Sequence, residues 1–183
     1  MLLASPPRNP TTMRLTPLHL TASIALSLGA CAAHAQTPYP ATLTGHAVLP
    51  AKTFIAAPKD APADLQVSGK FTTGQRVDAV GTVEGKSAGR PTGVSLPFKG
   101  QPVQGHSGIK RLADGSFWLL TDNGAGSKAN SPDFALFLNR YTVDFKSGQF
   151  KRLQTVFLHD PDKKVPFRIV HEGTKQRYLT GSD

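Results

Sequence analysis

Short apolar runs that alternate with polar residues, broken every few positions by Gly, Pro, Asn or Asp, fill the chain from Leu65 onward. This period-two pattern predicts strands near Leu65–Phe71, Arg76–Val83, Gly93–Pro97, Ile109–Leu112, Phe117–Thr121, Ala135–Asp144, Phe150–Leu158 and Phe167–His171. Two hairpin connections stand out. Ala113-Asp114-Gly115 lies between "GIKRL" and "SFWLL", and Lys146-Ser147-Gly148 lies between "RYTVDF" and "QFKRL". In both, glycine supplies the positive φ that a tight connection needs. No segment repeats apolar residues at i, i+3, i+4 and i+7 over three turns, so the reading is an all-β protein built from antiparallel hairpins.

Hairpins in this rhythm suit a β-propeller-like domain or a small β-sandwich. Propeller blades take roughly 40 to 50 residues each. The stretch from Leu65 to Asp183 then holds about two to three blades, fewer than a ring needs. The expectation is part of a propeller-like domain, incomplete at its C-terminus, with the sandwich as the alternative.

The first 64 residues read differently. From Met13 the chain has a positive start at Arg14, an apolar middle from Leu18 to Leu28, and small residues ending Ala33-His34-Ala35. That is the form of a secretory signal peptide over residues 1–35, cleaved before Gln36, and its apolar middle is too short for a transmembrane anchor. "LGAC", Leu28 to Cys31, is also close to a lipobox, which gives an outer-membrane lipoprotein as the alternative to a periplasmic or secreted protein. Residues 36–64 are rich in Pro and Ala and form an extended lead-in, with one edge strand expected around Ala47–Leu49.

Charge and cysteine narrow the chemistry. Cys31 is the only cysteine and lies in the leader, so the processed chain has no thiol for disulfides, zinc-thiolate sites or nucleophilic catalysis. The chain has 21 basic and 12 acidic residues, spread without long runs. Such a surface steers anionic partners without choosing among them. No Gly-rich phosphate loop, dinucleotide fingerprint or stacked-aromatic motif is present, which argues against nucleic acid as a partner.

The residues that carry candidate chemistry are few. Along Phe117–Thr121 one face holds Trp118, Leu120 and then Asp122, and the other holds Phe117, Leu119 and Thr121. The end "TDNG" is either a turn or the start of a hard-cation site, because a carboxylate, an amide oxygen and loop carbonyls are the ligands calcium prefers. Calcium takes six to eight oxygens, so Asp133 and Asp183 are further candidates. Ser107, in "QGHSGI", lacks the second glycine of a nucleophile elbow. His106 beside it is a weak candidate general acid or base. Arg140, in "FALFLNRYTVDF", is a weak candidate for catalysis and for gripping an anionic substrate. His46, His159 and His171 show no metal-ligand spacing.

The order "GHSGI", four residues, "DGSFWLLTDNG", then "FALFLNRYTVDF" and "RYLTGSD" resembles the phytase-like domain family described by esterase-like activity. The likeness is strongest from Gly105 to about Tyr141. It implies an exported protein with a propeller-like fold, grouped with calcium-dependent phosphate-ester hydrolases. By that resemblance the protein is a hydrolase acting on a small anionic ester, with Asp122, Asn123 and Asp183 as oxygen ligands. The reading from a different class is a non-enzymatic periplasmic binding or scaffold protein, since a fold of this kind does not fix function.

Overall fold

The structure is a computed structural model that describes residues 40–121 and 124–183. The leader, with Cys31, and the pair Asp122 and Asn123 lie outside the described residues. The chain divides into two units, Met1–Thr42 and Leu43–Asp183. Of the first, only residues 40–42 are described, and they carry no regular structure.

The second unit is all-β among the described residues: strands joined by turns and two short 3-10 turns, with no α-helix and no closed barrel. The strands are β1 (Phe54–Ile55), β2 (Val67–Ser68), β3 (Val83–Ser87), β4 (Arg90–Leu96), β5 (Phe98–Lys99), β6 (Gln101–Pro102), β7 (His106–Arg111), β8 (Phe117–Thr121), β9 (Phe137–Asp144) and β10 (Gln149–Phe157). All pairings are antiparallel: β1 with β6, β2 with β5, β3 with β4, and a four-stranded sheet in the order β10-β9-β8-β7.

That sheet is an up-and-down meander, and both hairpin connections expected from the sequence are present. Gly115 takes φ 81° and Gly148 takes φ 73°. Each turn is also held by an aspartate. Asp114 Oδ1 accepts from the Ser116 N–H at 3.0 Å, and Asp144 Oδ1 accepts from the Lys146 N–H at 2.9 Å. Along β9, Phe137, Asn139 and Tyr141 are buried on one face, opposite Thr121, Leu119 and Phe117 of β8.

The apolar core is small. One cluster joins Ala57, Leu65, Ala135 and Tyr178, and the other joins Ile55, Val103 and Phe137; Phe157 packs against both. Its ring lies 5.3 Å from that of Phe137 and 6.4 Å from that of Tyr178. With so little apolar area, polar side chains do much of the joining, because a buried polar group is tolerated only when its hydrogen bonds are made. Gln101 is completely buried. Its Nε2 donates to the Leu65 and Asp133 carbonyls at 2.7 and 2.9 Å, and its Oε1 accepts from the Ala135 N–H at 2.8 Å.

Four expected strands differ. Leu65–Phe71 shortens to β2, because Leu65 closes a 3-10 turn and the chain turns again from Lys70. Residues 76–82 turn instead of pairing: the Val77 N–H donates to the Lys70 carbonyl, the Gly81 N–H donates to the Pro97 carbonyl, and the Arg76 guanidinium grips Asp78 and Asp64. Pairing begins at Val83. Phe167–His171 alternates apolar and polar side chains yet forms no strand, since the Val170 N–H goes to Asp183 Oδ1 at 2.6 Å. Ala47–Leu49 forms no strand either, and Val48 makes a single long bond to the Gly148 carbonyl. The lead-in is nonetheless part of the fold from Phe54 onward, through β1 and the core residues Ile55 and Ala57.

Candidate functional site

The "TDNG" end of β8 leads into a loop fixed by small side chains. Thr121 closes the strand, opposite His106 on β7 and Phe137 on β9. Beyond the undescribed pair, the Gly124 carbonyl accepts from Gln104 Nε2 at 2.7 Å. Ser131 then ties the loop to itself: its Oγ accepts from the Ala125 N–H at 2.8 Å and donates to the Ser127 carbonyl at 2.5 Å.

This loop forms one wall of a cleft of about 480 Å³. Phe54, Leu96, Phe98 and Phe134 give it apolar sides, Lys86 and Gln104 give it polar groups, and Gly124, Ala125 and Gly126 bring main chain to its edge. The volume lies within the usual range for small-molecule sites, and the lining mixes polar and apolar side chains, Thr72, Ser87 and Thr92 among the polar ones. The β3–β4 hairpin supplies Lys86 and Leu96. Nothing in their local sequence marks either as a site residue.

Asp183 lies next to the same loop. Gly181 packs against Gly124, Lys128 Nζ donates to the Asp183 main-chain carbonyl at 2.9 Å, and Ser182 Oγ donates to the Lys128 carbonyl at 2.5 Å. The Asp183 carboxylate accepts from the Val170 N–H on Oδ1, and from the Thr180 N–H at 2.7 Å and hydroxyl at 3.1 Å on Oδ2. It holds two turns of the chain together. Asp133 is bound to a cation: Oδ2 accepts from the Lys70 N–H at 2.8 Å and lies 3.3 Å from Lys70 Nζ, with both side chains buried. No group of three or more His, Cys, Asp or Glu is placed to hold a metal ion among the described residues. The described oxygens therefore do not make a calcium site by themselves, and the set depends on Asp122 and Asn123.

Of the other two candidates, His106 lies at the loop end of β8 and Arg140 toward its far end. His106 opens β7 and is exposed at the end of the strand. Its ring meets Tyr141 edge-on at 6.4 Å, and partial burial lowers its pKa, so it is neutral near pH 7. Ser107 follows it on the same strand. Arg140 pairs with Trp118 in register and points toward the β7–β8 turn, the opposite end of β8 from Thr121. Its Nε donates to Ser116 Oγ at 2.9 Å and its Nη2 forms an ion pair with Asp114.

Thus the fold brings Gly124 and the Gly181–Asp183 turn together, beside a cleft, with the matching motif on the strand that leads into it. Residues 101–178 match the phytase-like family. The family is described as "Esterase-like activity of phytase". The matched phytase-like segment runs from β6 through the whole four-stranded sheet to Tyr178, so it contains the "TDNG" loop and stops short of Asp183. No curated protein and no solved structure matches the chain.

Proposed function

We propose that this is an exported esterase or phosphoesterase of phytase-like type, which hydrolyses a small anionic ester with the help of calcium. The observation that carries the proposal is that the phytase-like segment, described by esterase-like activity, contributes Gln104 and the Gly124–Gly126 wall of the 480 Å³ cleft. At the coarsest level this supports a hydrolase of ester bonds. The apolar sides suit the body of an ester, and Lys86, which also pairs with Glu84 at 3.3 Å, is the cation in the lining that suits its negative charge. Export rests on the leader pattern of residues 1–35, and the meander β7 to β10 has the strand order of one propeller blade.

In this reading Asp122 and Asn123 contribute oxygens to calcium. A bound metal of this kind polarises an ester oxygen and positions water without an amino-acid nucleophile. The chain's own part is to hold and orient. Gln104 fixes the loop through the Gly124 carbonyl, Ser131 sets the loop's shape, and four aromatic and aliphatic side chains give the bound ester apolar contacts.

The test is an assay of the full chain on p-nitrophenyl phosphate and p-nitrophenyl acetate, with calcium and with a chelator, together with thermal melts in both. Calcium-dependent turnover of either ester, lost in Asp122→Asn and Asn123→Ala while the fold is retained, is the expected result. No turnover and no calcium-dependent shift in Tm would overturn the proposal. One observation favours a second reading, a non-enzymatic binding or scaffold protein: the described polar candidates, Asp183 and Arg140, already hold turns in place. Under that reading anionic ligands bind equally well to the wild type and to both variants.

A further inference from the structure

The 480 Å³ cleft is poor in positive charge. The chain carries 21 basic and 12 acidic residues, yet among the described residues that line the cleft Lys86 alone is charged, and its Nζ also stands 3.3 Å from Glu84 Oε2. A single phosphate monoester group brings about 1.5 to 2 negative charges at pH 7 and three acceptor oxygens. Holding several such groups takes several cations, best of all guanidinium forks. This lining offers one lysine.

The neutral polar groups do not stand in for the missing cations, because their hydrogens are turned to the main chain. Thr72 Oγ1 donates to the Gly69 carbonyl at 3.1 Å, Thr92 Oγ1 donates to the Gly85 carbonyl at 2.9 Å, and Gln104 Nε2 gives one N–H to the Gly124 carbonyl at 2.7 Å. A hydroxyl has a single hydrogen to donate. The two threonines are left with acceptor capacity, which offers nothing to a phosphate oxygen.

The apolar walls are better provided. The Phe54 and Phe98 rings lie 5.1 Å apart, tilted at 46°, and Phe54 is 36% exposed, so part of its surface is open to a ligand. Both rings are positioned by strand pairing, Phe54 opposite Pro102 and Phe98 opposite Ser68. Leu96 and Val94 add aliphatic surface to the same cleft. A flat ring packed on such side chains gains from the area it buries and from edge or offset contact with the phenyl rings. The volume lies toward the small end of ligand pockets, which suits one or two rings.

We propose that the substrate of this cleft is an ester with a flat apolar body and one anionic group, recognised mainly by its body against Phe54, Phe98 and Leu96, and that polyphosphorylated esters are excluded. The inference rests on the esterase reading and narrows its substrate. Lys86 is a minor anchor, since its side chain is 57% exposed and shared with Glu84.

The test is calorimetric titration of the full chain with 1-naphthyl phosphate, methyl phosphate and inositol hexakisphosphate, in a chelator so that no probe acts by removing calcium. Hydrolysis of 1-naphthyl phosphate and 1-naphthyl acetate is then assayed with calcium. 1-Naphthyl phosphate is expected to bind at least about tenfold more tightly than either of the other two. That preference should shrink to less than about threefold in Phe54→Ala, while Lys86→Met keeps its affinity within about threefold of the wild type, with circular dichroism checking the fold of both. No binding of 1-naphthyl phosphate to the wild type, or binding of methyl phosphate or inositol hexakisphosphate as tight as its own, would overturn the inference whatever the variants do. The preference without hydrolysis of either ester would leave this recognition in place and overturn the esterase reading. Hydrolysis without the preference would do the reverse.

Discussion

Gly124 and Gly181 lie main chain against main chain: a Cβ placed on Gly181 would stand 3.0 Å from both Cα and N of Gly124 and 2.9 Å from Ser131 Cβ. This contact joins the loop after β8 to the turn that ends in Asp183, and the neighbour is backbone, which cannot swing aside. We expect Gly181→Ala to cost about 1 to 3 kcal/mol, the range of an overpacked site, measured by urea unfolding. Gly173 has nothing within 4 Å of a Cβ, so Gly173→Ala should leave stability unchanged or slightly raised. Equal effects of the two changes would show that the Gly124 contact is loose.

Lys70 and Asp133 form the most deeply buried ion pair among the described residues, at 3% and 1% side-chain exposure. Lys70 Nζ also donates to the Asp64 and Val67 carbonyls at 2.6 and 2.5 Å, so its charge is well satisfied. Removing one partner leaves the other charged and buried. Lys70→Met should therefore cost about 3 to 5 kcal/mol. Lys86→Met, which breaks an exposed pair with Glu84, should cost less than about 1 kcal/mol. Comparison of urea midpoints for the two variants checks this, and similar midpoints would mean that Asp133 finds another partner.

The contrast explains how much of the molecule was legible in the sequence. The meander from β7 to β10 could be read, since its alternation and its Asp114-Gly115 and Lys146-Ser147-Gly148 connections are local signals. The Lys70–Asp133 pair could not, because the residues are 63 positions apart, Lys70 looks like an ordinary surface charge and Asp133 read as a candidate calcium ligand. The same limit applies to residues 159–183. There isolated bridges, His159 with Tyr178 and Ala135 with Thr180, stand in for a ladder, and aspartates take up further backbone N–H groups: Asp160 accepts from Lys164 and Val165, and Asp183 from Val170 and Thr180. Alternation in Phe167–His171 mimicked a strand for that reason. At the site, "TDNG" was visible as a motif, while Lys86, Leu96 and Gln104 become neighbours only through tertiary pairing.

Arg140 gives a prediction that separates structure from chemistry. Its guanidinium bonds Ser116 Oγ and pairs with Asp114, and Asp114 titrates below its ordinary range through the Ser116 bonds first and Arg140 second. Arg140→Gln should lower the urea midpoint only slightly, as expected of a partly exposed pair. Because Arg140 faces the β7–β8 turn, KM for an anionic ester should stay within about twofold of the wild type, a difference below about 0.4 kcal/mol. A large rise in KM with unchanged stability would make Arg140 a substrate ligand.

His171 sets a pH dependence whose sign follows from its surroundings. Burial lowers its pKa, against the opposing pull of the Asp183 and Asp64 charges and of a bond to the Pro132 carbonyl, with the Lys70 charge adding to the fall. Nε2 is buried with no partner, so the ring is neutral in the fold, and a proton placed there would find no acceptor. The unfolded chain protonates near the ordinary value of about 6.5. Between the lowered folded value and 6.5 the unfolded state binds more protons, so stability rises with pH there. It is fully present above 6.5, declines as pH falls through 6.5, and levels off once pH drops below the folded pKa. His106 shifts in the same direction and adds to the slope. Urea midpoints measured from pH 8 down to pH 5 should fall in the wild type and fall less steeply in His171→Asn. A variant curve parallel to that of the wild type would mean that His171 meets water or an acceptor when protonated, and that the slope belongs to other groups.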